Sequence, residues 1–453
     1  MKIRAMIVAL FALAPFGIPA AIGAEGTGVE SLTLDRARAL ALASSRTLAS
    51  LGLSVESAGV DERLQRYEGL PSLTLSASAS ASAPAAPGLS VTDTVAAGVS
   101  VGATQTLYSG GRNRLLSGIA ALSTAQAREK ARAGYYACLD AVDSAWYSLL
   151  EAHATRESAE AAIRSSDASL EIANARREIG AASMADCLEA EANAASARAN
   201  LGQAERDVSV YSAKLASLTG VGKISGIERP DFASYDSLVA RLSTLEEEGI
   251  ESIVAAIQDR ALAENPALAS SRLALEKAGR SVDLGKAAYL PTLSAGISTG
   301  LDYAVVNGLS DPAVRFSLTG NVPLDAWSTA ASVEKSRVEE RQASLGADED
   351  ASALKIDVAQ ALYGCVSAAR TIVSSEKAVE YAEINYENRL EQYRLGAASV
   401  SELASAASLA AASRGSLIKA RYTLLRSLST LRTLGAFGSD GEVLAAMGYD
   451  AGE

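Results

Sequence analysis

Apolar positions follow two different periods along this chain, and the periods alternate twice in the same order. Between 32 and 66, Leu34, Ala37, Leu40 and Leu48 keep the three-to-four spacing of an amphipathic helix, and 251–287 does the same. Helical period stops at Pro71 and Pro291, where period two takes over. Across 72–82, Leu73, Leu75, Ala77, Ala79 and Ala81 alternate with Ser and Thr, and across 94–107, Val95, Ala97, Val99 and Val101 alternate with Ala96, Gly98, Ser100 and Gly102. The second half repeats the pattern, with Leu293, Ala295, Ile297 and Leu301 set against Thr292, Ser294, Gly296 and Gly300, and Val314, Phe316, Leu318 and Val322 set against Arg315, Ser317, Thr319 and Asn321. The spacing predicts four strands in two hairpins, with loops near 84–93 and 304–311. Long helical stretches follow at 112–178 and 329–394, then shorter ones at 185–218 and 401–434. The longer pair would each span about 100 Å. Their Ala-rich seams, such as Leu139, Val142, Ala145, Trp146 and Leu149, suit close packing in a coiled coil or a helical tube.

The doubled order is an internal repeat. A shift of 216 residues pairs Tyr147 with Tyr363, Leu218 with Leu434, and Ile179-Gly180-Ala181-Ala182-Ser183 with Leu395-Gly396-Ala397-Ala398-Ser399. Nearer the start of each half the shift is 220, pairing "LPSL" at Leu70 with "LPTL" at Leu290. Gly180 and Gly396 each stand where a long helix gives way to a shorter one, the place of a left-handed C-terminal cap. The expected division is a leader at 1–24, a first repeat at 25–220, a linker at 221–249 with a solvated acidic run, a second repeat at 250–436 and a tail at 437–453.

The leader is read from Lys2 and Arg4, the apolar run after them and Ala24 before Glu25, which together form a secretory signal peptide. Beyond it no stretch has the length and hydropathy of a spanning helix, although the chain is 49% hydrophobic with mean hydropathy +0.13, so any membrane crossing must use strands. The net charge of −12 argues against nucleic acid as a partner. The repeat matches Cys138 with Leu354, Cys187 with Leu403 and Cys365 with Leu149, and a position that takes Cys or Leu is a packing position rather than a disulfide or a metal ligand. The single histidine, His153, maps to Ala369, and no cluster at ligand or triad spacing surrounds it, so neither a cofactor nor catalysis is expected. "YSGGR" at Tyr108 lacks the Lys-Ser/Thr of a phosphate loop and reads as a strand-to-helix turn, and Tyr135, Tyr136, Trp146 and Tyr147 read as packing.

Strands of this length can cross a bilayer when tilted, since about 9–11 residues suffice. Four strands cannot close a barrel, and open edges are not tolerated in hydrocarbon, so one chain alone cannot be the spanning unit. Three chains would contribute twelve strands around an aqueous lumen. Tyr108, Tyr303 and Phe316 are candidates for an interfacial aromatic girdle. A water-soluble sheet packed on the helices satisfies the same alternation.

The ordered set of motifs, namely the tandem halves, "LPSL" and "LPTL", "TQTLYSGGR" at Thr104 to Arg112, and the paired "REIGAASMADCLEAEA" and "YRLGAASVSELASA", resembles the outer-membrane efflux protein family, the TolC-like channels. The resemblance implies an α+β membrane protein: a homotrimer in which each chain gives four transmembrane strands to a 12-stranded barrel in outer-membrane lipid, with a long α-helical barrel extending into the periplasm. It implies a passive exit duct for small molecules or proteins, partnered by a periplasmic adaptor and an inner-membrane transporter. A periplasmic coiled-coil scaffold without a pore is the rival reading. The two glycine turns resemble the family's periplasmic tip, which makes Gly180, Ala181, Ser183, Gly396, Ala397 and Ser399 the expected adaptor-docking turns. Asp186, Tyr393 and Glu402 become the expected aperture gate, with the Tyr393 hydroxyl donating to a neighbouring carboxylate. The arginine that some members carry two residues after the second glycine is Ala398 here, and a second acidic residue of the tip is Ser405.

Overall fold

A computed structural model describes residues 32–82, 94–222, 224, 226–304, 308–309 and 313–449. The leader therefore lies outside the described residues, as do most of the two predicted hairpin loops. In chain order the elements are α1 (Leu34–Ser44), α2 (Arg46–Tyr67), β1 (Ser72–Ser82), β2 (Thr94–Tyr108), α3 (Arg112–Glu178), α4 (Met184–Thr219), a 3-10 turn (Phe232–Tyr235), α5 (Asp236–Thr244), α6 (Glu247–Glu264), α7 (Pro266–Ala287), β3 (Thr292–Ala304), β4 (Gly308–Leu309), β5 (Ala313–Asn321), α8 (Ala326–Arg394), α9 (Val400–Leu434) and α10 (Asp440–Ala446). No helix among the described residues is long and apolar enough to cross a membrane.

Three sequence expectations need correction. Each predicted first helix is two helices. Ser45 ends α1 in an extended conformation and its hydroxyl caps Leu48 of α2, while Asn265 caps Ala267 and Leu268 of α7 with Pro266 in the first turn, a position where a missing N–H costs nothing. The 221–249 linker is not only a surface connector, because Leu238, Val239 and Leu242 of α5 are buried in the core that α6, α8 and α9 share. Nor is 437–449 a free tail: Phe437, Val443 and Met447 are buried in that same core.

The sheet is wholly antiparallel in the order β1-β2-β3, with β4 and β5 sharing the far side of β3 one register step apart. Cross-strand register aligns Leu75 with Val101, Val99 with Leu301 and Ile297 with Phe316, so the apolar residues of all strands share one face. The other face aligns Ser76 with Ser100 and Gly300, and Thr74 with Gly102, Ser298 and Arg315. None of the described residues covers the apolar face, where Leu73 is 80% exposed and Phe316 77%. Phe316 lies mid-strand rather than at an end, and the Tyr303 side chain lies outside what is described. At the strand–helix junctions Tyr67, Tyr108, Tyr289 and Trp327 are the exposed aromatics, a set that only partly matches the predicted girdle.

The helices form a layer in the order α2-α3-α7-α8, and α4 and α9 fold back along α3 and α8 as two helical hairpins. The ends of this layer are unpartnered: α2 exposes Leu53, Leu64 and Tyr67, and α8 exposes Val338, Leu345 and Ile356. All three cysteines are free thiols. Cys187 and Cys365 are buried, as are their repeat mates Leu403 and Leu149, and burial pushes the Cys365 thiol up to about 12, which keeps it unreactive. The triple variant Cys138→Val, Cys187→Val, Cys365→Val is expected to assemble like the parent, and loss of the assembled species in that variant, read by light scattering, would contradict the packing role.

Candidate functional site: the paired helix turns

Each GAAS segment is a complete helix-to-helix joint. Gly180 (φ +72°) and Gly396 (φ +82°) adopt the left-handed conformation open to glycine. Beside them the chain closes a Schellman motif, in which the Ala181 N–H donates to the Arg176 carbonyl (2.7 Å) and Gly180 to Arg177 (2.9 Å), matched by Ala397 to Gln392 (2.8 Å) and Gly396 to Tyr393 (3.1 Å). Two residues later the next helix starts with a capping box. The Ser183 hydroxyl accepts from the Asp186 N–H and the Asp186 carboxylate accepts from the Ser183 N–H at 2.8 Å, while Ser399 and Glu402 make the same exchange, the second bond at 2.9 Å. These backbone bonds hold both carboxyls below their ordinary pKa. Asp186 and Glu402 thus act locally as helix caps, and Glu402 also lies 3.8 Å from Arg389.

Tyr393 is placed differently from expectation. Its ring is 1% exposed, buried with Ala173, Cys187, Ala190 and Leu403 where the two hairpins meet. Among the described residues its buried hydroxyl has no hydrogen-bond partner and does not donate to a carboxylate. Burial, more than any neighbouring charge, raises its pKa.

Arg176 joins the two turns, and sequence reasoning missed it. Its guanidinium stacks 4.8 Å from the Tyr393 ring centre, donates through Nη1 to the Tyr393 carbonyl (3.0 Å) and through Nη2 to the Ala181 carbonyl (3.2 Å). The Tyr393 carbonyl lies in the last turn of α8, where the backbone dipoles favour a cation, and the Ala181 carbonyl lies in the turn after α3. The repeat carried a signal: the 216-residue shift matches Arg176 with Gln392 and Arg177 with Tyr393, so the halves diverge where one side chain must reach the other. Between the hairpins runs a groove lined by small and polar side chains, among them Ser165, Ser169, Asn193, Ala197, Ala407 and Arg414. No group of three or more His, Cys, Asp or Glu at metal-binding distance occurs among the described residues.

The family profile described as outer membrane efflux protein matches residues 37–221 and 257–436, one block for each repeat. No curated protein matches the chain in sequence. Among solved structures, the outer membrane protein VceC of Vibrio cholerae superposes with TM-score 0.75 at 18% identity, covering 89% of this chain and 96% of its own. The CmeC outer membrane channel of Campylobacter jejuni gives 0.74 at 15% identity over 93% and 87%, and a membrane protein from Pseudomonas aeruginosa gives 0.77 at 20% identity over 90% and 91%. At these identities the likeness fixes the fold, while the profile, which spans most of the chain, fixes the family. The chain belongs to the outer membrane efflux protein family, a channel protein of the outer membrane whose helical part extends into the periplasm.

Proposed function

We propose that three copies close into a continuous duct which serves as the exit of a tripartite assembly, receiving solute from an inner-membrane transporter through a periplasmic adaptor that docks on the Gly180 and Gly396 turns. One observation carries the reading: the unpaired sheet edges, β1 and β5, run directly into α2 and α8, the helices whose apolar residues are uncovered. A single lateral contact between copies would therefore pair strand with strand and cover helix with helix at once. Backbone groups left open in hydrocarbon cost several kcal/mol each, so edge pairing is the dominant drive to closure. The apolar outer face then meets lipid and the Ser, Thr and Gly face lines the lumen. At the other end, the backbone of Gly180, Ala181, Gly396 and Ala397 is exposed on a rigidly capped joint and offers a regular surface to a partner.

The expected result is a species that urea does not extract from the outer membrane, that is trimeric in detergent by light scattering and that conducts in planar bilayers. A soluble product, or a stable monomer in detergent, would favour the scaffold without a pore. Docking is tested separately, by photo-cross-linking from a label at Ala397 in whole cells. Products containing a periplasmic adaptor are expected, and their absence with the trimer intact would remove the tip from the interface.

A further inference from the structure

Among the described strand residues only two are charged, Asp302 and Arg315, and both lie on the polar face. Their surroundings make room for them. Arg315 sits opposite Ser298, in a cross-strand row that continues through Gly102 to Thr74. Asp302 sits opposite Gly98, and a Cβ at position 98 would overlap the Asp302 carboxylate, which lies across β2 on the side of Ser78. Both charged residues are exposed. Because β3 runs away from the helices and β5 runs back toward them, Arg315 is the nearer of the two to the helical part, with Asp302 four residues, about 14 Å along the strand, farther out.

We infer that Arg315 sets the ion preference of the exit barrel: three copies form a cationic ring which an anionic group of the departing solute meets first, followed by the anionic ring of Asp302. The inference rests on the trimeric duct proposed above. Twelve strands spaced about 4.8 Å apart and tilted about 40° enclose a tube of roughly 12 Å backbone radius. That radius is close to the Debye length of about 10 Å at 0.1 M salt and well inside the roughly 30 Å at 0.01 M, so a ring of charge on the wall is felt at the axis. Among the described strand residues the rest of this face is Ser, Thr, Gly, Ala and Asn, which carry no charge to mask it.

The experiment is reversal-potential measurement on the purified full-length protein in planar bilayers under a KCl gradient. At low salt, Arg315→Gln is expected to shift the permeability ratio toward K⁺ by about twofold or more, Asp302→Asn to shift it toward Cl⁻, and Arg315→Lys to keep the parent value. All differences should vanish near 1 M salt, where the Debye length falls to about 3 Å. Channels present with the Arg315→Gln ratio unchanged, or shifted in the same direction as Asp302→Asn, would overturn this inference while leaving the duct standing. Channels absent from the parent and variants alike would overturn the duct reading and this inference with it.

Discussion

Asp143→Ala is expected to cost about 3–5 kcal/mol, among the largest effects of any single substitution in the chain. Asp143 is fully buried on α3 and accepts from three directions: Arg38 Nε and Nη2 of α1 at 2.7 and 2.8 Å, Ser429 Oγ of α9 at 2.7 Å, and Arg432 Nη2 of α9 at 2.8 Å. Arg432, 3% exposed, reaches on to Asp440 of α10 at 3.1 Å, and Arg38 also meets Asp440 at 3.3 Å. Removing the carboxylate leaves one guanidinium fully buried and a second mostly buried with only the half-exposed Asp440 as a shared counter-charge, and that desolvation penalty sets the size of the effect. A triple change, Arg38→Met, Asp143→Leu and Arg432→Met, removes the ions together and is expected to recover most of the loss. Urea denaturation of the detergent-solubilised protein measures both, and an Asp143→Ala cost under about 1 kcal/mol would show that water or relaxation compensates the site.

Arg176→Ala is expected to loosen the paired turns. Two hydrogen bonds from a guanidinium and a cation–π contact are lost, but the side chain is half-exposed, so we discount the sum to about 1–2 kcal/mol. That is a factor of about 5–30 in the population of the separated state. Amide exchange at Ala397 should quicken by that factor, and resting conductance in bilayers should rise. Arg176→Lys should not rescue either, because a single ammonium cannot fork between the Tyr393 and Ala181 carbonyls while lying flat on the ring. Exchange and conductance both at parent values would mean that hairpin packing alone holds the turns.

Much of the architecture was readable before any coordinates, for reasons that lie in particular residues. Pro71 and Pro291 mark the switch of period, Gly180 and Gly396 mark the joints, and the strict alternation around Leu75 or Phe316 leaves only one face for each side chain. Breaks that depend on one hydroxyl, as at Ser45, leave the helical period on either side intact and so pass unseen. α5 was missed because nine residues hold too few turns for Leu238, Val239 and Leu242 to declare a period. At the site, the glycine caps at Gly180 and Gly396 were legible and the Ser-to-acid spacing of the capping boxes was a local signal passed over, whereas Arg176 and Asp143 gave none, since their partners lie 217 and as many as 289 residues away. The burial of Tyr393 was not legible for a related reason: which neighbour a tyrosine at a helix end packs against depends on tertiary packing, which local spacing does not encode.

The bond between Arg38 and Asp440 joins positions 402 residues apart, nearly the two ends of the described chain. A chain that enters its compartment from the N-terminus presents Arg38 long before the carboxylate of Asp440 arrives. Until then the guanidinium of Arg38 has Asp143 and the exposed Asp35 of its own helix as counter-charges, and α10 is not present to cover Phe437 and its neighbours. Such long-range closure is entropically slow and comes late in folding. A chain cut short before α10 can still form its hairpins and strands, yet it leaves Asp143 to serve two largely buried guanidiniums without Asp440 and leaves the apolar face that Val443 and Met447 cover open to water.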